Sequence, residues 1–380
     1  MHVWRWWSSA AVLSLCLLAR PSAAQVRGPV APVATPTTAT APAEPPLVTT
    51  LATRPPAPTW APVPASKTAI DAFVHGEAEA LKVADPMNAA AIKDSILAGV
   101  VPLPPKTKGP VPVEYQSMYG DAIARELGSL AVDPKLPGHA QLNAIIAIAS
   151  IKSISCDVAL RNALPSSNVA VRYWAAKGLN DILTDLKDVP KAFKAACDDL
   201  KKALATEKSP LVQTAILKAL GTAGADGAGH TAILDFLTRE ATALQAGAPT
   251  PAENQAIATG LSSLKDIISG GVAVTPPDDA NAAQVIVNVM SFSGQRLWLA
   301  DPTGASQTVA QKAPVAAIAR AGATAINAIA RGPKVVEPRV NDRSTPAEIL
   351  GGIKTITGGD VDAGTIATVY KTVTPPPTLK

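Results

Sequence analysis

The chain has 380 residues, is 47% hydrophobic but only 4% aromatic, and carries a formal charge of +4. Alanine fills the gap between those two percentages; it is the best helix former and lets helices pack closely, whereas sandwiches and barrels draw on Val, Ile, Tyr and Phe. The weak charge, with no Lys/Arg cluster and no interleaved aromatics, leaves no electrostatic footprint for nucleic acid.

Residues 1–24 follow the pattern of a secretory signal peptide, with Arg5 in the head, an apolar run from Ala10 to Ala19, and Ser22-Ala23-Ala24 as a small-residue cleavage site before Gln25. The run falls short of the ~20 residues of a spanning helix, so removal is expected, with no integral membrane span in the mature chain. Cys16 follows the large Leu15, which argues against a lipoprotein signal. Losing Arg5 and Arg20 leaves 32 basic against 30 acidic residues, so no strongly charged partner is implied. The expected location is exported: periplasmic, cell-envelope or extracellular.

Residues 25–65 carry eleven prolines and eight threonines and nothing at helical spacing, the composition of an extended, disordered tether. A helical domain is expected over 66–357, followed by a tail over 358–380. Ile70, Phe73, Val74, Ala78 and Leu81 share one face of a first helix. Asp85-Pro86 then supplies a cap and a first-turn proline for a second, carrying Ile92, Ile96 and Leu97 up to Gly99. Five prolines in 101–113 read as an irregular join. Tyr115, Tyr119, Ile123, Leu127 and Leu130 mark a helix over 114–131, and Leu142, Ile145, Ile146, Ile148 and Ile151 one over 139–152 that is apolar around much of its circumference.

The centre of the chain repeats itself. Asn168-Val-Ala-Val-Arg-Tyr-Trp-Ala-Ala-Lys-Gly-Leu179 returns 41 residues later as Ser209-Pro-Leu-Val-Gln-Thr-Ala-Ile-Leu-Lys-Ala-Leu220. Asn168 aligns with Ser209, Val171 with Val212, Arg172 with Gln213, Lys177 with Lys218 and Leu179 with Leu220; upstream, Cys156-Asp157 aligns with Cys197-Asp198. A fixed period of this length means one helical unit stacked on its next copy. The helices are 155–164 with 168–184, then 190–205 with 210–222. A polar cap, Val-Arg, then alanine and leucine at helical spacing resembles the second helix of a HEAT repeat. The resemblance covers 155–222, and Gln213 departs from it where the arginine belongs. It implies an α-solenoid of antiparallel helix pairs and no activity.

A third pair follows, 229–246 and a helix opened by Thr250-Pro251-Ala252-Glu253, whose threonine and glutamate suit a capping box. Val285-Ile286-Val287-Asn288-Val289-Met290 has strand propensity, but the acids and alanines before it favour a helix over 279–293. A helix over 314–331 and one opened by the capping box Thr345-Pro346-Ala347-Glu348 complete the array.

His75, His139 and His230 stand alone at no metal-ligand spacing, and no catalytic or phosphate-binding motif occurs. No cofactor or metal site is expected. Asp360-Val361-Asp362-Ala363-Gly364 lacks the third acid of a calcium loop and reads as a turn. Tyr173 and Trp174 lie beside or away from the face marked by Val171, Ala175 and Leu179 and are the candidate binding-surface residues; the competing reading packs Trp174 on a neighbouring repeat. Cys156 and Cys197 occupy equivalent places in stacked units, ~8–10 Å apart. That exceeds the ~7 Å limit for a bridge, so two buried free thiols are expected. The favoured function is a non-catalytic scaffold or a module that binds a protein or peptide. The alternatives are an enzyme whose site is assembled across repeats without a motif, or a purely structural envelope protein.

Overall fold

Proline and short polar side chains set the helix starts. In the computed structural model, which describes residues 64–99, 113–272, 278–330, 333–359 and 364–379, fourteen α-helices and no strand occur among those residues. They are α1 Pro64–Val83, α2 Pro86–Ala98, α3 Val113–Val132, α4 Gly138–Ile151, α5 Asp157–Ala163, α6 Val169–Leu186, α7 Pro190–Thr206 and α8 Pro210–Ala223. Then come α9 His230–Ala246, α10 Pro251–Ser269, α11 Asp278–Ala300, α12 Val309–Ile329, α13 Pro346–Thr357 and the short α14 Ile366–Val369. Pro86, Pro190, Pro210, Pro251 and Pro346 each open a helix, where the missing N–H costs nothing. Both expected capping boxes form: Glu253 N–H donates to Thr250 Oγ1 at 3.2 Å, and Glu348 N–H to Thr345 Oγ1 at 3.2 Å. The signal segment, most of the Pro/Thr-rich stretch, and Asp360–Ala363 of the calcium-loop candidate lie outside the described residues.

Consecutive helices pair, α1 with α2 through α11 with α12. Alternate helices then pack on one another. The first helices run α1, α3, α5, α7, α9, α11, α13, each against the next; the second helices run α2, α4, α6, α8, α10, α12 in the same way. Small residues allow the second helices to approach closely: a Cβ built on Gly178 would meet the Ala149 Cβ at 2.9 Å, and one on Gly221 the Ser263 Oγ at 2.7 Å. The apolar residues read from helical spacing fill the interior, including Tyr115, Tyr119, Ile123, Ile145, Val171, Leu179, Leu220 and Ile257, all fully buried.

Three boundaries differ from the sequence reading. The run at 285–290 is helical, but α11 extends to Ala300. The helix expected from 314 begins five residues earlier, at Val309, because Thr308 N–H donates to Gln311 Oε1 at 2.8 Å and nucleates the first turn; Pro314 then lies inside the helix. The helix expected over 155–164 is a 3-10 turn, Ile154–Cys156, followed by α5. Cys156 therefore sits in that turn and not on a first helix. Both Cys156 and Cys197 are buried and unpaired, as the spacing argument expects.

Candidate functional site

The cap Asn168, and Ser209 and Thr250 at the next two 41-residue intervals, open α6, α8 and α10. Four residues past two of those caps, Arg172 and Gln213 turn back onto the connection before their helices. The Arg172 Nη1 donates to the carbonyls of Ser166 at 2.8 Å and Ser167 at 3.2 Å. Gln213 Nε2 donates to the Glu207 carbonyl at 2.9 Å, and Gln141 on α4 does the same for its own loop, to Asp133 O at 2.8 Å and Leu136 O at 3.0 Å. These clamps hold the second helices in register, so that their exposed faces line up.

The result is a groove of about 840 Å³ across α6, α8, α10 and α12. Asn180, Lys218, Thr222, Gln255, Ser262 and Arg320 line it, giving mainly hydroxyl and amide groups with a positive balance: Lys218, Lys265 and Arg320 against Asp266. Part of this lining is internally engaged. Thr222 Oγ1 donates to Asn180 Oδ1 at 2.8 Å, Arg320 Nη1 donates to the Val340 carbonyl, and Lys265 pairs with Asp266. Lys218, Gln255 and Ser262 have side chains without a hydrogen bond or ion pair among the described residues, which leaves one cation and two hydrogen-bonding groups facing the groove.

A second cavity, about 750 Å³, lies where the α5/α6 and α7/α8 pairs meet. Its arginines are committed across the two units, Arg161 donating to Asp157 at 3.0 Å and to Asp199 at 3.0 Å while Arg172 grips Glu207; Lys202 and Lys208 line it without an ion pair among the described residues. That cavity is built as a structural joint, and the first groove is the better candidate.

Tyr173 and Trp174 are half-buried against the core on α6. Their rings meet edge to face at 5.9 Å, and Lys177 Nζ sits 4.1 Å above the Trp174 ring. Tyr173, Lys177 and Asn180 follow at helical spacing on one stripe of α6; Asn180 lines the groove, whereas Tyr173 and Trp174 lie about two turns away and are not part of its lining. The sequence reading named this pair and missed the hydroxyl and amide lining, because Thr, Ser and Gln on a helix surface look like ordinary solvent-facing positions.

The histidines are dispersed. His75 Nδ1 lies 2.9 Å from Glu126 Oε2, His139 Nε2 lies 2.8 Å from the Ala84 carbonyl, and His230 opens α9. No group of three potential metal ligands occurs among the described residues, and none of their helices is long and apolar enough to cross a membrane.

No protein-family model matches the chain, and no curated protein matches it. Among solved structures it is similar to two engineered proteins, each 18% identical. One likeness covers 67% of this chain and 96% of the other with a TM-score of 0.25, the second 82% and 89% with a TM-score of 0.31. Likenesses of that size say nothing about what the groove binds.

Proposed function

We propose that this chain is an exported α-solenoid of HEAT-like repeats that binds a protein or an extended peptide along its row of second helices. The groove across α6, α8, α10 and α12 carries the reading, because it crosses four successive units and presents Lys218, Gln255 and Ser262 without side-chain partners among the described residues. Hydroxyls, amides and scattered cations suit backbone carbonyls and carboxylates of a chain laid across the row, and repeat arrays use such extended faces for this purpose. The repeated caps at Asn168, Ser209 and Thr250, with turn clamps at Arg172 and Gln213, support the HEAT-like assignment. Export rests on the signal pattern of residues 1–24. Tyr173 and Trp174, about two turns along α6 from Asn180, extend the surface beyond the groove as aromatic anchors.

A photo-cross-linking residue placed at Thr222 tests this in the producing cell. Capture of one defined partner from Thr222, and not from Lys194 on the exposed face of α7, is the expected result. Equal capture from both positions, or from neither, contradicts it.

A further inference from the structure

The segment that follows α14 returns to α11. Thr374 N–H donates to Gln284 Oε1 at 2.8 Å, and Gln284 Nε2 donates back to Thr374 O at 3.0 Å. Further along, Leu379 N–H donates to Gln295 Oε1 at 2.6 Å, while Gln295 Nε2 donates to Pro377 O at 3.3 Å. Val373 and Pro376 are buried in the same seat. Two side-chain amides thus read the backbone of Thr374-Pro375-Pro376-Pro377-Thr378-Leu379 on either side of a proline run that has no N–H to offer.

The spacings match. Gln284 and Gln295 are eleven residues apart, ~16 Å along a helix, and Thr374 to Leu379 is five residues, also ~16 Å in polyproline II form. The prolines hold the peptide in that form before it docks, which lowers the ordering cost. Beside Leu379 the groove between α11 and α13 stays open, about 300 Å³ lined by Trp298, Leu299 and Leu350. Trp298 and Leu299 are each 38% exposed. The space accepts an apolar side chain larger than leucine.

The pattern Pro, any residue, Pro, Thr, apolar occurs twice in the chain, at Pro375–Leu379 and at Pro56-Ala57-Pro58-Thr59-Trp60. The second copy puts tryptophan where the open space lies and Pro55 in the place of Thr374, so it keeps the carbonyl for Gln284 Nε2 and both backbone groups for Gln295 but has no N–H for Gln284 Oε1. Four residues separate Trp60 from Pro64 at the start of α1, a reach of at most ~14 Å. From α1 to α11 there are five steps along the row of first helices, ~40–50 Å at usual helix spacings. The segment therefore has to come from another molecule.

We propose that the α11/α13 groove is a site for an extended Pro-x-Pro-Thr-apolar peptide, held in cis by residues 374–379 and filled in trans by residues 56–60 of a second copy. Such a contact is heterologous and joins copies head to tail. The cis segment has the advantage of high effective concentration, so it acts as a competitor that limits assembly.

Sedimentation velocity on the full chain tests this with four proteins: wild type, Pro375→Gly/Pro377→Gly to loosen the cis segment, and that variant carrying either Trp60→Ala or Gln284→Ala/Gln295→Ala. Loosening is expected to lower the concentration for self-association about tenfold or more, and both added changes to abolish it. A synthetic peptide of residues 53–62 should dissociate the assembly. Trp60 precedes α1 in the sequence and is not one of the groove residues, so its variant keeps the test sound if the glutamine variant unfolds. Monomers throughout, or association that survives Trp60→Ala, overturn the proposal.

Discussion

Arg172 and Glu207 form a two-pronged ion pair, Nε to Oε2 at 2.6 Å and Nη2 to Oε1 at 3.0 Å, that ties the start of the second helix of one pair to the hinge of the next. The Glu207 carboxylate is only 4% exposed. Burial alone would push its pKa up, but the Arg172 hydrogen bonds and the backbone N–H groups of Ser209 and Lys208 outweigh it and hold the carboxyl below its usual range. Gln213, the equivalent of Arg172 one repeat later, holds the carbonyl of the same residue.

Arg172→Ala should therefore cost about 3 kcal/mol, the low end for breaking a buried pair, since two backbone donors remain. Urea unfolding measures it, and Arg172→Lys should recover little because an ammonium cannot make the fork. The depressed carboxyl contributes stability that is present above the unfolded pKa and is lost as pH falls through the folded one. Wild type should thus lose stability below about pH 4.5, and the Arg172→Ala protein less steeply. A loss under about 0.5 kcal/mol would place the pair among ordinary surface bridges.

One substitution at two glycines, one in each row of helices, is predicted to have opposite outcomes. Gly76 on α1 has open space around it, so Gly76→Ala should stabilise by about 0.5–1 kcal/mol through helix propensity. At Gly178 a Cβ would meet Leu160 Cδ2 at 2.7 Å, Ala149 Cβ at 2.9 Å and Ala149 Cα at 3.1 Å. There the backbone of α4 has to move, so Gly178→Ala should destabilise by about 1–3 kcal/mol despite the propensity gain. Thermal melts of the two variants, moving in opposite directions, check the close approach of α4 and α6.

Cys156 and Cys197 should resist alkylation in the folded protein at neutral pH and yield two free thiols on denaturation without reductant. Burial pushes the Cys156 thiol up to about 12 and the Cys197 thiol up to about 11. The folded state thus keeps protons that the unfolded chain releases near pH 9, and stability from these groups falls as pH rises between about 9 and 12. Serine at both positions should flatten that alkaline loss. No free thiol after denaturation would mean a bridge and a different register.

Much of the helix plan is legible in the residues because caps and first-turn prolines are local signals: Asp85-Pro86, Ser209-Pro210 and Thr250-Pro251 each announce a start that the structure carries. Thr308 was hidden behind Pro314, which mimics a helix opening. The partner of Arg172 is not legible, since Glu207 stands 35 residues away in the next unit and only stacking brings them together. The same holds for the groove. Lys218 belongs to α8 and Gln255 and Ser262 to α10, and nothing in either helix marks Lys218 as a neighbour of the other two. Gln284 and Gln295 are likewise unremarkable until the chain returns to meet them 90 and 84 residues later.

The second-helix groove is the central claim, and a selection of displayed random peptides on the full-length protein tests it most directly. Recovered peptides are titrated into wild type, Lys218→Glu/Lys265→Glu and a control, Lys194→Glu on α7. The account predicts that affinity drops at least about tenfold, 1.4 kcal/mol, in the double reversal and holds in the control. Peptides that bind all three alike, or a selection that recovers none, would contradict it.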